Sequence, residues 1–139
     1  MLRVSVNRRC AAPPEQVWPW IAEPHRHVQT LPDSVSKIEV SDDGDVACVV
    51  TAMGVSEPMI VRVVEAVEPT RLVERRVDGG REATTIFEVE PDGDGSAVTL
   101  TSEIEVPRLI GGMVKGHVEK GLRQQLENLD RLSAGVDGA

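Results

Sequence analysis

Three histidines are the first candidates for proton chemistry, because imidazole titrates near neutral pH without help from its surroundings. His117 ends the run Leu109-Ile110-Gly111-Gly112-Met113-Val114-Lys115-Gly116-His117. At helical spacing, Leu109, Ile110, Met113, Val114 and His117 share one sector. There His117 either meets a ligand oxygen or carries a proton, or it stands as a partly exposed helix residue. His25 and His27 lie between Pro24 and Leu31 and read as surface residues of a short solvated helix. Arg75 is the second kind of candidate. If Val73 and Val77 face inward, its guanidinium enters the interior and can hold a carboxylate or enolate. If Leu72 faces inward instead, Glu74 and Arg76 take its place. Thr85 and Ser102 stand on faces better defined by alternation, and their hydroxyls can bond a ligand or the nearby backbone.

Several chemistries are missing from the pattern. There is no Gly-x-Ser-x-Gly, no phosphate-binding loop and no pair of metal ligands at a recognised spacing. Neither a metal nor a cofactor is expected. If the chain is an enzyme, only His117 or an inward arginine is left as acid–base group. Cys10 and Cys48 are too few for a disulfide framework. The net charge of −8 argues against nucleic acid and anionic membrane as main partners, since both require a basic face. No apolar run reaches the ~18 residues of a membrane span. The N-terminus alternates polar and apolar residues and lacks a signal-peptide core, so a cytoplasmic location is expected. Phe87, Trp18 and Trp20 are the whole aromatic complement. Any pocket must therefore be walled by Val, Leu, Ile and Ala, with Met53, Met59 and Met113 as adaptable elements.

The elements that position these residues follow from periodicity. At 139 residues, 40% of them apolar, the chain suits one domain, expected over 1–134 with a flexible tail over 135–139. A first strand spans about 2–9. Pro14 then opens a short helix, shortened or kinked by Pro19, with Trp18 buried and Trp20 more exposed. A second short helix follows over 24–30. Antiparallel strands are predicted over 35–41, 46–53, 58–67, 71–78, 82–90 and 97–106, separated by Gly, Asp and Pro turns. The face of 58–67 is ambiguous, and a bulge can switch it partway. The last segment, about 108–133, is helical. Its first half carries Gly111, Gly112, Gly116 and Gly121, each costing ~1 kcal/mol against alanine. The stripes of its two halves differ by very roughly 100°, which a bend near Gly116 or Gly121 would reconcile.

That order of elements, with Ala12-Pro13-Pro14-Glu15-Gln16-Val17-Trp18, Pro69-Thr70-Arg71-Leu72-Val73, Gly95-Ser96-Ala97-Val98-Thr99-Leu100 and Gly121 to Leu129, resembles the START-like (Bet v 1-like, SRPBCC) superfamily. It is most similar to the bacterial polyketide cyclase/dehydrase and lipid-transport branch. The resemblance implies an α+β helix-grip fold: a seven-stranded antiparallel curved sheet wrapped around a long C-terminal helix, with two short helices between strands 1 and 2. It also implies a cavity between sheet and helix for a small hydrophobic molecule, lipid or polyketide-like. The residues placed against that ligand are Met59, Arg75, Thr85, Phe87, Ser102, Leu109, Ile110, Met113, Val114 and His117. Two other functions fit the same fold: a cyclase/dehydrase-type enzyme, and a toxin component of a toxin–antitoxin pair working through protein contacts. The pocket of cyclase relatives is lined with Arg, Trp and Tyr, and this sequence has no tyrosine. A monomer or homodimer without stable membrane insertion is expected.

Overall fold

Alternating side chains become two-faced strands. The computed structural model describes residues 1–135. The chain runs β1 (Leu2–Cys10), α1 (Pro14–Ala22), α2 (Pro24–His27), a 3-10 turn (Val28–Thr30), then β2 (Val35–Val40), β3 (Val46–Ala52), β4 (Val55–Val67), β5 (Arg71–Arg76), β6 (Ala83–Asp92) and β7 (Gly95–Ile104). A 3-10 turn (Arg108–Ile110) leads into α3 (Gly111–Ser133). The strands form one antiparallel sheet in the order β1-β7-β6-β5-β4-β3-β2. This is the helix-grip fold. The tail expected over 135–139 lies, apart from Gly135, outside the described residues.

Register decides which face each strand shows the helices. Val6, Leu100, Phe87 and Leu72 are consecutive cross-strand partners, all buried in the core. Leu72 is therefore inward, which sends Glu74 and Arg76 to the concave side and Arg75 to the convex side. The expectation that Arg75 enters the interior is corrected: it is exposed beside Arg62 and Thr84. In β4 a register shift between Val63 and Glu65 inserts one residue. Met59, Val61 and Val63 face the concave side before it. After it Glu65 and Val67 fall on the convex side, where Glu65 pairs with Arg71.

Turn chemistry moves some strand ends. β4 begins at Val55, three residues earlier than expected, because Met53 and Gly54 both adopt positive φ and close a two-residue hairpin between Ala52 and Val55. Met53 is thus an exposed turn residue and not a pocket wall.

The long helix runs without interruption from Gly111 to Ser133. Its second half sets its rotation: Leu122, Leu126 and Leu129 are buried with Val4, Val6 and Leu100. The helix lies mainly on β1, with smaller contacts to β7 and α1. At ~100° per residue, Met113 and His117 then sit well over 100° from Leu122, on the side away from the core. Leu109 is 98% exposed and Met113 61% exposed. Trp18 is buried, while Trp20 is only partly so, with Arg26 5.3 Å above its ring.

Candidate functional site

Because α3 grips the β1–β7 side, it leaves the concave face of β3, β4 and β5 free, and only the end of α1 and the start of α2 reach over part of that face. Val46 and Val50 of β3 and Met59 and Val61 of β4 are half-buried there, and Val63 is exposed. A row of polar partners crosses this face: Ser102 of β7 stands beside Thr85 of β6, Thr85 beside Glu74 of β5, and Glu74 beside Val63. Ser102 is buried, and Thr85 and Glu74 are half-buried. Arg76 lies one step along β5.

His27 closes one end of the row. It is 5% exposed, its Nε2 lies 3.3 Å from Glu74 Oε2, and its ring meets Phe87 edge-on at 5.5 Å. The expected solvated histidine is in fact buried. The chain holds it there through α3. Thr30 Oγ1 donates to the His27 carbonyl at 2.7 Å, Gln125 Nε2 donates to Thr30 Oγ1 at 3.3 Å, and Asn128 Nδ2 donates to the Thr30 carbonyl at 3.1 Å. Polar residues on α3 thus clamp the turn that follows the histidine. His27 Nδ1 is buried without a hydrogen bond of good geometry, although the Trp20 backbone is close enough to favour the protonated ring. Burial, the largest single influence, would lower the His27 pKa. The charge of Glu74, its hydrogen bond and the Trp20 backbone together outweigh burial and raise it.

The pair lines a small hollow with Ile21, Ala22, Pro24, Gly44, Val46, Val61 and Val63. Its open space is about 20 Å³, room for about one water-sized group. Farther along the concave face all three nitrogens of Arg76 are already engaged. Nη1 donates to Glu57 at 2.9 Å, Nε to Asp78 at 2.6 Å, and Nη2 to the Pro58 carbonyl at 3.1 Å. Cys48 is buried nearby, and burial first, then Glu74, pushes its thiol pKa up, so it is not a ready nucleophile. A larger depression of about 270 Å³ opens beside β2 and β3, lined by Glu39, Ser41, Asp43, Asp45 and Ile60 among others. It is shallow, and Asp45 is already paired with Arg62 at 2.8 Å, so no buried polar group is offered to a ligand there.

The expected site residues divide accordingly. Met59, Thr85 and Ser102 share the concave face with Glu74, and Phe87 underlies His27 from within the core. Leu109 and Ile110 are exposed in the 3-10 turn before α3, Met113 and His117 are exposed on the outward side of its first half, and Val114 is half-buried. None of these five lines the hollow. His27 carries no periodic signal in its own segment, since its burial depends on the fold of α1, α2 and α3 together. Glu74 was legible once Leu72 was aligned with Phe87.

A family model described as polyketide cyclase / dehydrase and lipid transport matches residues 1–134. The chain belongs to this family. Solved structures agree on the fold. A protein from Thermus thermophilus, TTHA0849, is 21% identical with a TM-score of 0.79, covering 96% of this chain and 98% of its own. A norcoclaurine synthase point mutant from Thalictrum flavum, solved with a transition-state analogue, is 14% identical with a TM-score of 0.76, covering 97% and 95%. Chromobacterium violaceum CV1439 is 20% identical with a TM-score of 0.73, covering 96% and 98%. The comparison with curated proteins returned no match. No helix among the described residues is long and apolar enough to cross a membrane.

Proposed function

We propose that this family member binds a small, largely apolar molecule along the part of the concave face of β3–β5 that α3 leaves free, with its polar end at His27, Glu74 and Thr85. The observation that supports it most is the combination on one face of half-buried aliphatic side chains, with Val63 exposed among them, and a half-buried polar row. Apolar walls with a few placed polar groups are the usual makeup of a ligand site. A lipid or a polyketide-like chain fits that description, and both lie within the family's compass. The ligand-facing residues are Met59, Val61, Val63, Glu74, Thr85 and Ser102. His117 and Arg75 take no part in the geometry proposed. The test is titration with Nile red, a neutral apolar dye. Val61→Trp fills the face and should weaken binding by about tenfold, ~1.4 kcal/mol. Ile60→Trp, one residue earlier and on the convex side, should leave it unchanged. Equal effects of the two would contradict this location.

The His27–Glu74 pair also favours a second function, a cyclase/dehydrase-type proton transfer, because an oriented carboxylate is a general base when a C–H is held within reach. Turnover of a poly-β-keto substrate analogue, abolished in Glu74→Gln, would establish it.

A further inference from the structure

We infer that this site selects ligands whose polar head donates a hydrogen bond, a hydroxyl or an ammonium, over ligands that end in a carboxylate. Glu74 is the acceptor, and His27 is its positioning residue. The inference rests on the ligand face proposed above and adds the chemistry of the head.

Four observations carry it. First, Glu74 lines the hollow, and only its Oε2 meets His27. Among the described residues no donor is paired with its other oxygen, which leaves an acceptor aligned by the imidazole on one side. Second, the neighbouring cation is not free. Arg76 spends its Nε, Nη1 and Nη2 on Asp78, Glu57 and the Pro58 carbonyl. A carboxylate ligand needs a guanidinium with donors to spare, and here it would instead meet Glu74, with Glu57 and Asp78 farther along. Third, the space beside the pair is small, about 20 Å³, room for about one water-sized group such as a single hydroxyl or ammonium. Fourth, Thr85 stands next to Glu74 in the register, so a hydroxyl head can donate to Glu74 and accept from Thr85. The aliphatic tail then lies on Val63, Val61 and Met59.

Three probes of equal chain length separate the heads: 1-decanol, decylamine and sodium decanoate, each competed against Nile red near neutral pH and below its aggregation limit. Decanol and decylamine should displace the dye at concentrations about tenfold lower than decanoate. In Glu74→Gln, which keeps the size and removes the charge, the ratio of decylamine to decanoate affinity should fall by about tenfold. The wild-type ranking decides the matter by itself should the variant fold poorly in a thermal melt. Decanoate binding as tightly as the other two, in a protein where Val61→Trp still blocks Nile red, would overturn the head-group inference and leave the ligand face standing. Failure of the wild type to bind Nile red or any of the three would overturn both.

Discussion

At the scale of single residues, His27 sets the strongest expectation. Its pKa is raised in the folded state above the ordinary value of 6.5. The stability it contributes is therefore fully present below that value and is lost as pH rises through the folded pKa. Denaturant unfolding of wild type and His27→Gln should show the gap between them shrinking as pH is raised from about 6 to about 9. A gap that widens would contradict the ion pair with Glu74. Trp18 and Trp20 give a second test. Trp18 belongs to the core, so Trp18→Ala should cost ~3–5 kcal/mol. Trp20→Ala should cost clearly less, because that ring is partly in water and covered by Arg26. The denaturation midpoints report both.

At the scale of elements, α3 is two helices in one. Its second half is anchored by Leu122, Leu126 and Leu129, with Gln125 and Asn128 clamping the Thr30 turn. Its first half presents Gly111, Gly112 and Gly116, none of which has an atom within 4 Å of where a Cβ would sit. Nothing steric keeps these glycines. Gly112→Ala and Gly116→Ala should each stabilise the protein by up to ~1 kcal/mol, and the pair should slow amide exchange in the first half of the helix. Melting points that fall instead would mean that something packs there. Gly95 at the start of β7 is the opposite case. A Cβ there would run into the Cys10 carbonyl closer than real side chains come, and that oxygen is backbone that cannot step aside. Gly95→Ala should lower the melting temperature and disturb the β1–β7 register, visible as faster exchange at Cys10 and Ser96.

At the scale of the whole molecule, the asymmetric grip matters most. The helix and the core serve β1, β7 and β6, while β3, β4 and part of β5 rely on the sheet itself. Local stability should follow that division, with slow exchange in β1 and β7 and faster exchange in β3 and β4. A bound apolar ligand should protect β3–β5 selectively and raise the melting temperature by mass action, by about 2.7 kcal/mol of stability at a hundredfold excess over Kd. Protection confined to α3 and β1 would move the site.

The order of elements, the antiparallel sheet and the leucine stripe of α3 could be read directly from the sequence, because each rests on local periodicity. So could the inward faces of β7, where Val98 and Leu100 alternate with polar residues, and of β6, where Phe87 and Val89 do so apart from Ile86 on the other face. The side of Glu74 and Arg75 could not, because both phases of Leu72-Val73-Glu74-Arg75-Arg76 carry an apolar and a charged residue. Pairing of Leu72 with Phe87 chose between them. The rotation of α3 was a contest between two apolar stripes on one continuous helix. Leu122, Leu126 and Leu129, which bury more area on β1, prevailed, and Met113 and His117 were carried outward with the losing stripe. His27 was beyond local reasoning altogether. Its neighbours give it no periodicity, and its burial needs α1, the Thr30 turn, α3 and the Glu74 strand to meet at one point. A buried ion pair between residues 47 apart in the chain is a product of tertiary contact, since only the assembled fold removes both groups from water and supplies each with its partner.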